Sequence, residues 1–171
     1  MTGTPSTLVV DGHVSAEALV RAASLDGTLA HRCPQCGSVE HGQPVLAGGP
    51  FISIARSSGL SVIAWWAGGP VGVDVEIVGA TPPPELTLHS EETFDDVLAV
   101  WVRKEAVVKA LGTGLRTDPR TIRLSAQHGT ATVAGAVMCT DLHVAEVHVP
   151  GHVAAVCWRR PAAGSWPNMT P

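Results

Sequence analysis

Hydrophobic and polar positions alternate most clearly between residues 51 and 78. Three runs, 51–55, 60–67 and 71–78, are separated by Ser58-Gly59 and Gly68-Gly69-Pro70 turn signals and read as three strands. In the third run Val71, Val73 and Val75 share one face, while Gly72, Asp74 and Glu76 share the other. The period then lengthens. Val97, Leu98, Trp101, Val108 and Leu111 recur at three- and four-residue steps, which predicts a helix from Phe94 to Gly112 with Thr93 and Asp96 as a capping box. Glu105 falls inside that apolar stripe. A buried carboxylate without a partner is costly, so the pattern calls for a cation, a donor or an open cleft beside it. Lys109, four residues on, is the first candidate partner.

The rest of the chain is read by the same signals. A short strand over 8–10 precedes a helix capped by Ser15, with Ala16, Leu19, Val20 and Ala23 as its stripe and Gly27 as its close. Residues 31–50, rich in Gly, Pro and Cys, read as a loop whose backbone is open to a ligand. Thr81 to Pro84 breaks the chain. Further strands are expected near 121–125, 130–134, 142–149 and 152–158. The order predicts an α+β protein with an N-terminal half, 1–80, a C-terminal half, 81–160, and a mobile tail, 161–171. Trp65 and Trp66 read as core and edge residues, and most of His143, His148 and His152 as surface residues.

Composition narrows the function. With 171 residues and 45% apolar content, the chain can build one sizeable core or two packed halves. Residues 1–100 carry three Arg and eleven acids, and residues 101–171 carry eight basic residues and four acids, so net charge is −8 and then +4. Such asymmetry fits an anionic partner. Nucleic acid is not indicated, because the basic residues are dispersed and no recognition motif is present. The uncharged, apolar stretch 59–73 is broken by Gly-Gly-Pro and too short to span a bilayer, and the N-terminus lacks a basic leader, so a cytoplasmic location is expected.

Two elements carry candidate chemistry. Asp74 and Glu76, two apart on a strand, repel unless a cation lies between them, and hard carboxylate oxygens suit magnesium. The plain alternative is a solvated acidic strand face. Cys33 and Cys36 have the spacing of half a zinc knuckle, with His31 and His41 nearby. A lone C-x-x-C lacks a full ligand set, so these cysteines are expected to be structural thiols, with structural zinc as the alternative. Cys139 and Cys157 read as small buried hydrophobes.

Read together, Gly72-Val73-Asp74-Val75-Glu76 followed by Trp101-Val102-Arg103-Lys104-Glu105-Ala106-Val107-Val108-Lys109 resembles the 4'-phosphopantetheinyl transferases, in particular the Sfp-type branch. Glu40-His41-Gly42-Gln43-Pro44 is similar to that family's H-G-K-P turn, and the strand starting at Phe51, ending in Ala55-Arg56-Ser57, is similar to its F-N-x-S-H-S strand. The resemblance implies two similar α/β halves related by pseudo-twofold symmetry, with the active site between them. It implies transfer of phosphopantetheine from coenzyme A to a serine of an acyl or peptidyl carrier protein, with release of 3',5'-ADP. Asp74, Glu76 and Glu105 would hold Mg²⁺, Glu105 and Lys109 would be catalytic, and His41, Gln43, Pro44, Arg56 and Ser57 would meet the coenzyme. Glu92 falls near a further family acid.

The chain departs from that pattern at two coenzyme-facing positions. Gln43 replaces a lysine, and Arg56 replaces the histidine that faces the 3'-phosphate in the family. Arginine can bind phosphate through two parallel donors, so Arg56 is expected to retain that recognition. The competing readings are a degenerate, non-catalytic member of the fold acting as a binding module, and a small interaction domain built on zinc at His31, Cys33, Cys36 and His41.

Overall fold

The alternating run after residue 50 becomes three strands in the computed structural model, which describes residues 3–33, 36–88, 96–125, 129–133 and 142–159. In chain order the elements are β1 (Ser6–Asp11), α1 (Ala16–Ala22), β2 (Thr28–Arg32), β3 (Gln43–Ala47), β4 (Phe51–Ser57), β5 (Leu60–Trp66) and β6 (Val71–Ile77). There follow α2 (Pro84–Thr87), α3 (Val97–Leu111), 3-10 turns at Gly114–Arg116 and Pro119–Thr121, β7 (Ile122–Ser125), β8 (Thr130–Val133), β9 (Leu142–Glu146) and β10 (His152–Arg159).

Strand alternation sorts the side chains into four layers. β5 lies between β1 and β4 in a three-stranded antiparallel sheet. Its Ile63 faces outward to Leu19 and Val20 of α1, and its Val62, Ala64 and Trp66 face inward. That inner face packs on Val71, Val73 and Val75 of β6 and on Ala154, Val156 and Trp158 of β10. β6 and β10 belong to a five-stranded sheet of order β6-β10-β9-β8-β7. The opposite face of that sheet, including Ala155 and Cys157, packs on Val102, Ala106 and Ala110 of α3. Each sheet thus carries one helix on its outer face, and the two sheets share a central core.

The mixed α and β architecture agrees with the sequence reading. The strand pairing crosses residue 80, however: β6 is hydrogen-bonded to β10, with Asp74 opposite Ala155. Towards β4, the β6 backbone is held by serine side chains instead. The Val73 and Ile77 amides donate to Ser53 Oγ at 3.0 Å and Ser57 Oγ at 3.2 Å.

Several local expectations are corrected. Ser15 does cap α1, accepting from the Ala18 amide, but the helix runs only to Ala22 with Ala23 as its C-cap, followed by Ser24 at positive φ, well before Gly27. Gly27 serves a close approach: a Cβ there would strike Leu46 and the Ala47 carbonyl. The expected loop over 31–50 holds the β2–β3 hairpin, with His31 opposite Pro44. Its glycines and cysteines masked the alternation at either end, where Leu29 and Leu46 pack beneath α1. α3 starts at Val97 with Asp96 as its N-cap, accepting from the Ala99 amide. Thr93 and Phe94 lie outside the described residues, as do Glu92, Cys139 and the segment from 160 onward.

Burial of α3 does not follow the predicted stripe. Val100, Val102, Lys104, Ala106 and Val107 are fully enclosed, whereas Trp101 and Leu111 are only half-buried. The helix is covered on more than one side, by β6 and β10, by α2 and by the 3-10 turns. Lys104 survives burial because its ammonium donates to the Thr87 carbonyl of α2 at 2.9 Å. His143 is also not a simple surface residue, since it stacks on Trp158 with ring centroids 5.3 Å apart. Among the described residues no helix is long and apolar enough to cross a membrane.

Candidate active site

The site begins with a glycine. Gly72 presents no side chain to α3, and a Cβ there would land on the Ala106 carbonyl and the Ala110 amide. β6 can therefore approach the helix closely, and Asp74, two residues on along the same strand face, is drawn against it. Asp74 is buried, with 7% of its surface exposed. Its Oδ1 accepts from Lys109 Nζ at 2.6 Å, and its Oδ2 is buried without a hydrogen-bond partner. Burial pushes the Asp74 carboxyl above its ordinary value, against the pull of Lys109.

This corrects the expected pairing along the helix. The ammonium of Lys109 bonds the strand acid and not Glu105 one turn earlier. Glu105 is half-buried, and its carboxyl is pushed up first by burial and then by the nearby charge of Asp74, with Lys109 opposing and Glu76 adding to the rise. Asp74, Glu76, Glu105 and Lys109 therefore form one electrostatic cluster. Glu76 Oε2 accepts from Ser57 Oγ at 3.0 Å, so Ser57 positions an acid of that cluster.

Glu105 and Lys109 open onto a cavity of about 810 Å³. Gly42, Gln43 and Pro44 of the hairpin and Ser53 and Ile54 of β4 line it from one side. Trp101, Glu105, Val108 and Lys109 line the other, and the 3-10 segment with Thr113, Arg116, Thr117 and Arg120 completes it. Gln43 bridges the walls by donating from Nε2 to the Lys109 carbonyl at 3.0 Å, which also accepts from the Gly112 amide in the last turn of α3. Asp74, Glu76, Arg56, Ser57 and His41 are not among the residues lining it. Arg56 instead donates from Nε and Nη2 to the Val14 carbonyl, at 3.0 and 2.8 Å, ahead of α1.

The sequence reading missed the basic wall. Arg116 and Arg120 follow Gly112-Thr113-Gly114, and their only signal was the positive balance of the C-terminal half. Arg120 is held by Asp118, whose carboxyl its guanidinium lowers to about 2. Arg116 donates to the Thr113 carbonyl and pairs with no described acid. A cavity with Glu105 and Lys109 on one wall and Arg116 and Arg120 on another suits a ligand that is itself anionic.

Residues 70–157, from the start of β6 almost to the end of β10, match the family model described as the 4'-phosphopantetheinyl transferase superfamily. The chain belongs to that superfamily. The match contains Asp74, Glu76, Glu105 and Lys109 and the arginine-bearing wall, while the hairpin with Gln43 precedes it. No curated protein matches the chain. Since this superfamily consists of transferases, a transferase of the phosphopantetheinyl type is the coarse function that membership carries.

Proposed function

We propose that this phosphopantetheinyl transferase-type protein moves 4'-phosphopantetheine from coenzyme A to a serine hydroxyl of an acyl or peptidyl carrier protein, releasing 3',5'-ADP. The observation that carries the reading is the placement of Glu105 and Lys109 on the cavity wall, with Lys109 bonded to the buried Asp74. The Sfp-type branch is favoured by the turn at His41-Gly42-Gln43-Pro44 and the strand that follows it. The pairing of each sheet with one outer helix supports two similar halves.

In the reaction the serine oxygen bonds to the β-phosphorus of the pyrophosphate, and the bridging P–O bond breaks with its electrons going to 3',5'-ADP. Glu105, a carboxylate made more basic by its surroundings, accepts the serine proton. Lys109 and Arg116 face the cavity where negative charge collects on the phosphate oxygens. Trp101 and Val108 supply apolar wall beside them.

The donor set fits Mg²⁺. Asp74, Glu76 and Glu105 offer hard oxygens, and Asp74 Oδ2 is a buried acceptor with no partner of its own. Among the described residues these three carboxylates do not gather within 4.8 Å of one another. Magnesium is commonly held by one or two carboxylates with substrate phosphates and water completing the shell, which a looser set accommodates. When bound, the ion would screen the pyrophosphate and stabilise its leaving group.

Mass spectrometry of apo carrier proteins incubated with the protein, coenzyme A and Mg²⁺ tests the proposal. A gain of one phosphopantetheine group, abolished by chelator, is expected. No gain on any carrier protein, with coenzyme A still bound, would mark a binding module.

A further inference from the structure

A second cluster of ligating side chains lies in the connection between β2 and β3. Cys33 Sγ, Cys36 Sγ and a ring nitrogen of His41 all lie within 4.8 Å of one another. Cys36 Sγ and His41 Nε2 are 3.5 Å apart. A tetrahedral ion with Zn–S of about 2.3 Å and Zn–N of about 2.05 Å separates sulfur from nitrogen by about 3.6 Å, so this pair already has the required span.

The backbone builds the cluster through turns that depend on glycine. The Gly37 amide donates to the Cys33 carbonyl, and the Cys33 amide donates to the Ser38 carbonyl, both at 2.9 Å. Gly37 takes a φ of +73°, a conformation glycine adopts without strain. Gly42 takes +108°, and a Cβ there would come within 2.6 Å of Cys33 Cα. Any larger residue would force the backbone at position 42 away from Arg32 and Cys33. His31, the fourth ligand suggested by spacing, is not in the set; it lies in β2 opposite Pro44.

We propose that Cys33, Cys36 and His41 bind Zn²⁺, and that the ion fastens the β2–β3 connection in the shape that forms one wall of the cavity. Two thiolates and an imidazole are soft and borderline donors, which favour zinc over the hard magnesium suited to the carboxylates. Their two negative charges neutralise the ion. Three protein donors leave one tetrahedral position for water. The connection matters because Cys33 and the adjoining Gly42, Gln43 and Pro44 all line the cavity, and Gln43 is bonded to α3. Binding at the thiolates would therefore stiffen a wall that the carboxylate site does not itself hold.

The test uses the full chain produced with zinc in the medium and purified without chelator or added metal. Elemental analysis should find one zinc per chain, and replacement by Co²⁺ should give thiolate-to-cobalt charge-transfer absorption with the visible bands of a tetrahedral site. Cys36 and His41 are exposed, so Cys36→Ser and His41→Ala should fold. Each should bind zinc more weakly by well over the ~10–100-fold lost when only a supporting partner is removed. Zinc should slow amide exchange over residues 36–43 in the wild type and not in the variants. Metal-free wild type that takes up no Co²⁺, equal zinc in both variants, or a Cys33–Cys36 disulfide in freshly purified protein would overturn the site. Unchanged exchange in the zinc-loaded protein would overturn its role as a fastener.

Discussion

Lys109 Nζ sits 2.6 Å from Asp74 Oδ1, joining the last turn of α3 to the acidic strand β6. Lys109 is about one-third exposed and Asp74 is nearly enclosed, so this pair lies between surface and buried limits. Lys109→Met should cost about 2 kcal/mol in chemical denaturation, between the ~1 of exposed pairs and the ~3–5 of broken buried ones. Adding Asp74→Asn should recover at least half of that loss, while transfer stays abolished in both. A double-mutant cycle with no coupling would show that the contact contributes nothing to stability.

Glu105 makes the opposite prediction for stability. Its carboxyl is raised above the ordinary 4.5 in the fold, chiefly by burial. A carboxyl raised by folding contributes its stability below the unfolded value and loses it as pH rises through the folded one. The wild type therefore carries a penalty at neutral pH that Glu105→Gln lacks. The variant should melt higher by about 2 °C at pH 8, less than about 1 kcal/mol after solvent screening, with the gain vanishing below the ordinary Glu value. Its turnover should fall by about 10²–10⁴. Melting curves across pH, run beside transfer assays, check both signs.

Gly72→Ala adds one methyl where the Ala106 carbonyl and the Ala110 amide already stand. Backbone on both sides cannot yield as a flexible side chain would. The expected loss is at least about 3 kcal/mol in urea denaturation. A near-neutral variant would show that β6 and α3 can separate without consequence.

Arg56 has a structural partner, the Val14 carbonyl just before α1. Arg56→Ala should cost about 1 kcal/mol of stability. It should leave the ratio of affinities for coenzyme A and dephospho-coenzyme A unchanged, as read by calorimetry. A loss confined to coenzyme A would return Arg56 to the 3'-phosphate role that the family resemblance assigns.

Legibility followed the range of the interactions. The alternation of Val71, Val73 and Val75 against Gly72 and Asp74 was readable because strand parity is local, and the Ser15 cap because its donor is three residues away. α3 misled because a helix covered on several sides has no single apolar stripe. The partner of Lys109 was assigned by helical spacing, and tertiary packing supplied a nearer carboxylate. Gln43 looked like a lost cation, whereas it bonds to α3 across 66 positions of sequence, which no local pattern encodes. Zinc ligation was discounted on ligand count, and folding of the connection brought three donors into one place.

The pairing of β6 with β10 also bears on when the site can exist. Asp74 is laid down early in the chain, yet its backbone neighbour is Ala155 in the last described strand. Until β10 is made, the acid-bearing strand has only the serine hydroxyls of β4 to satisfy part of one edge. Closing so long a loop is slow, and an unpaired strand is open to mispairing meanwhile. During synthesis on the ribosome, then, the small sheet with α1 can assemble first, and the acidic cluster comes together as one of the final events.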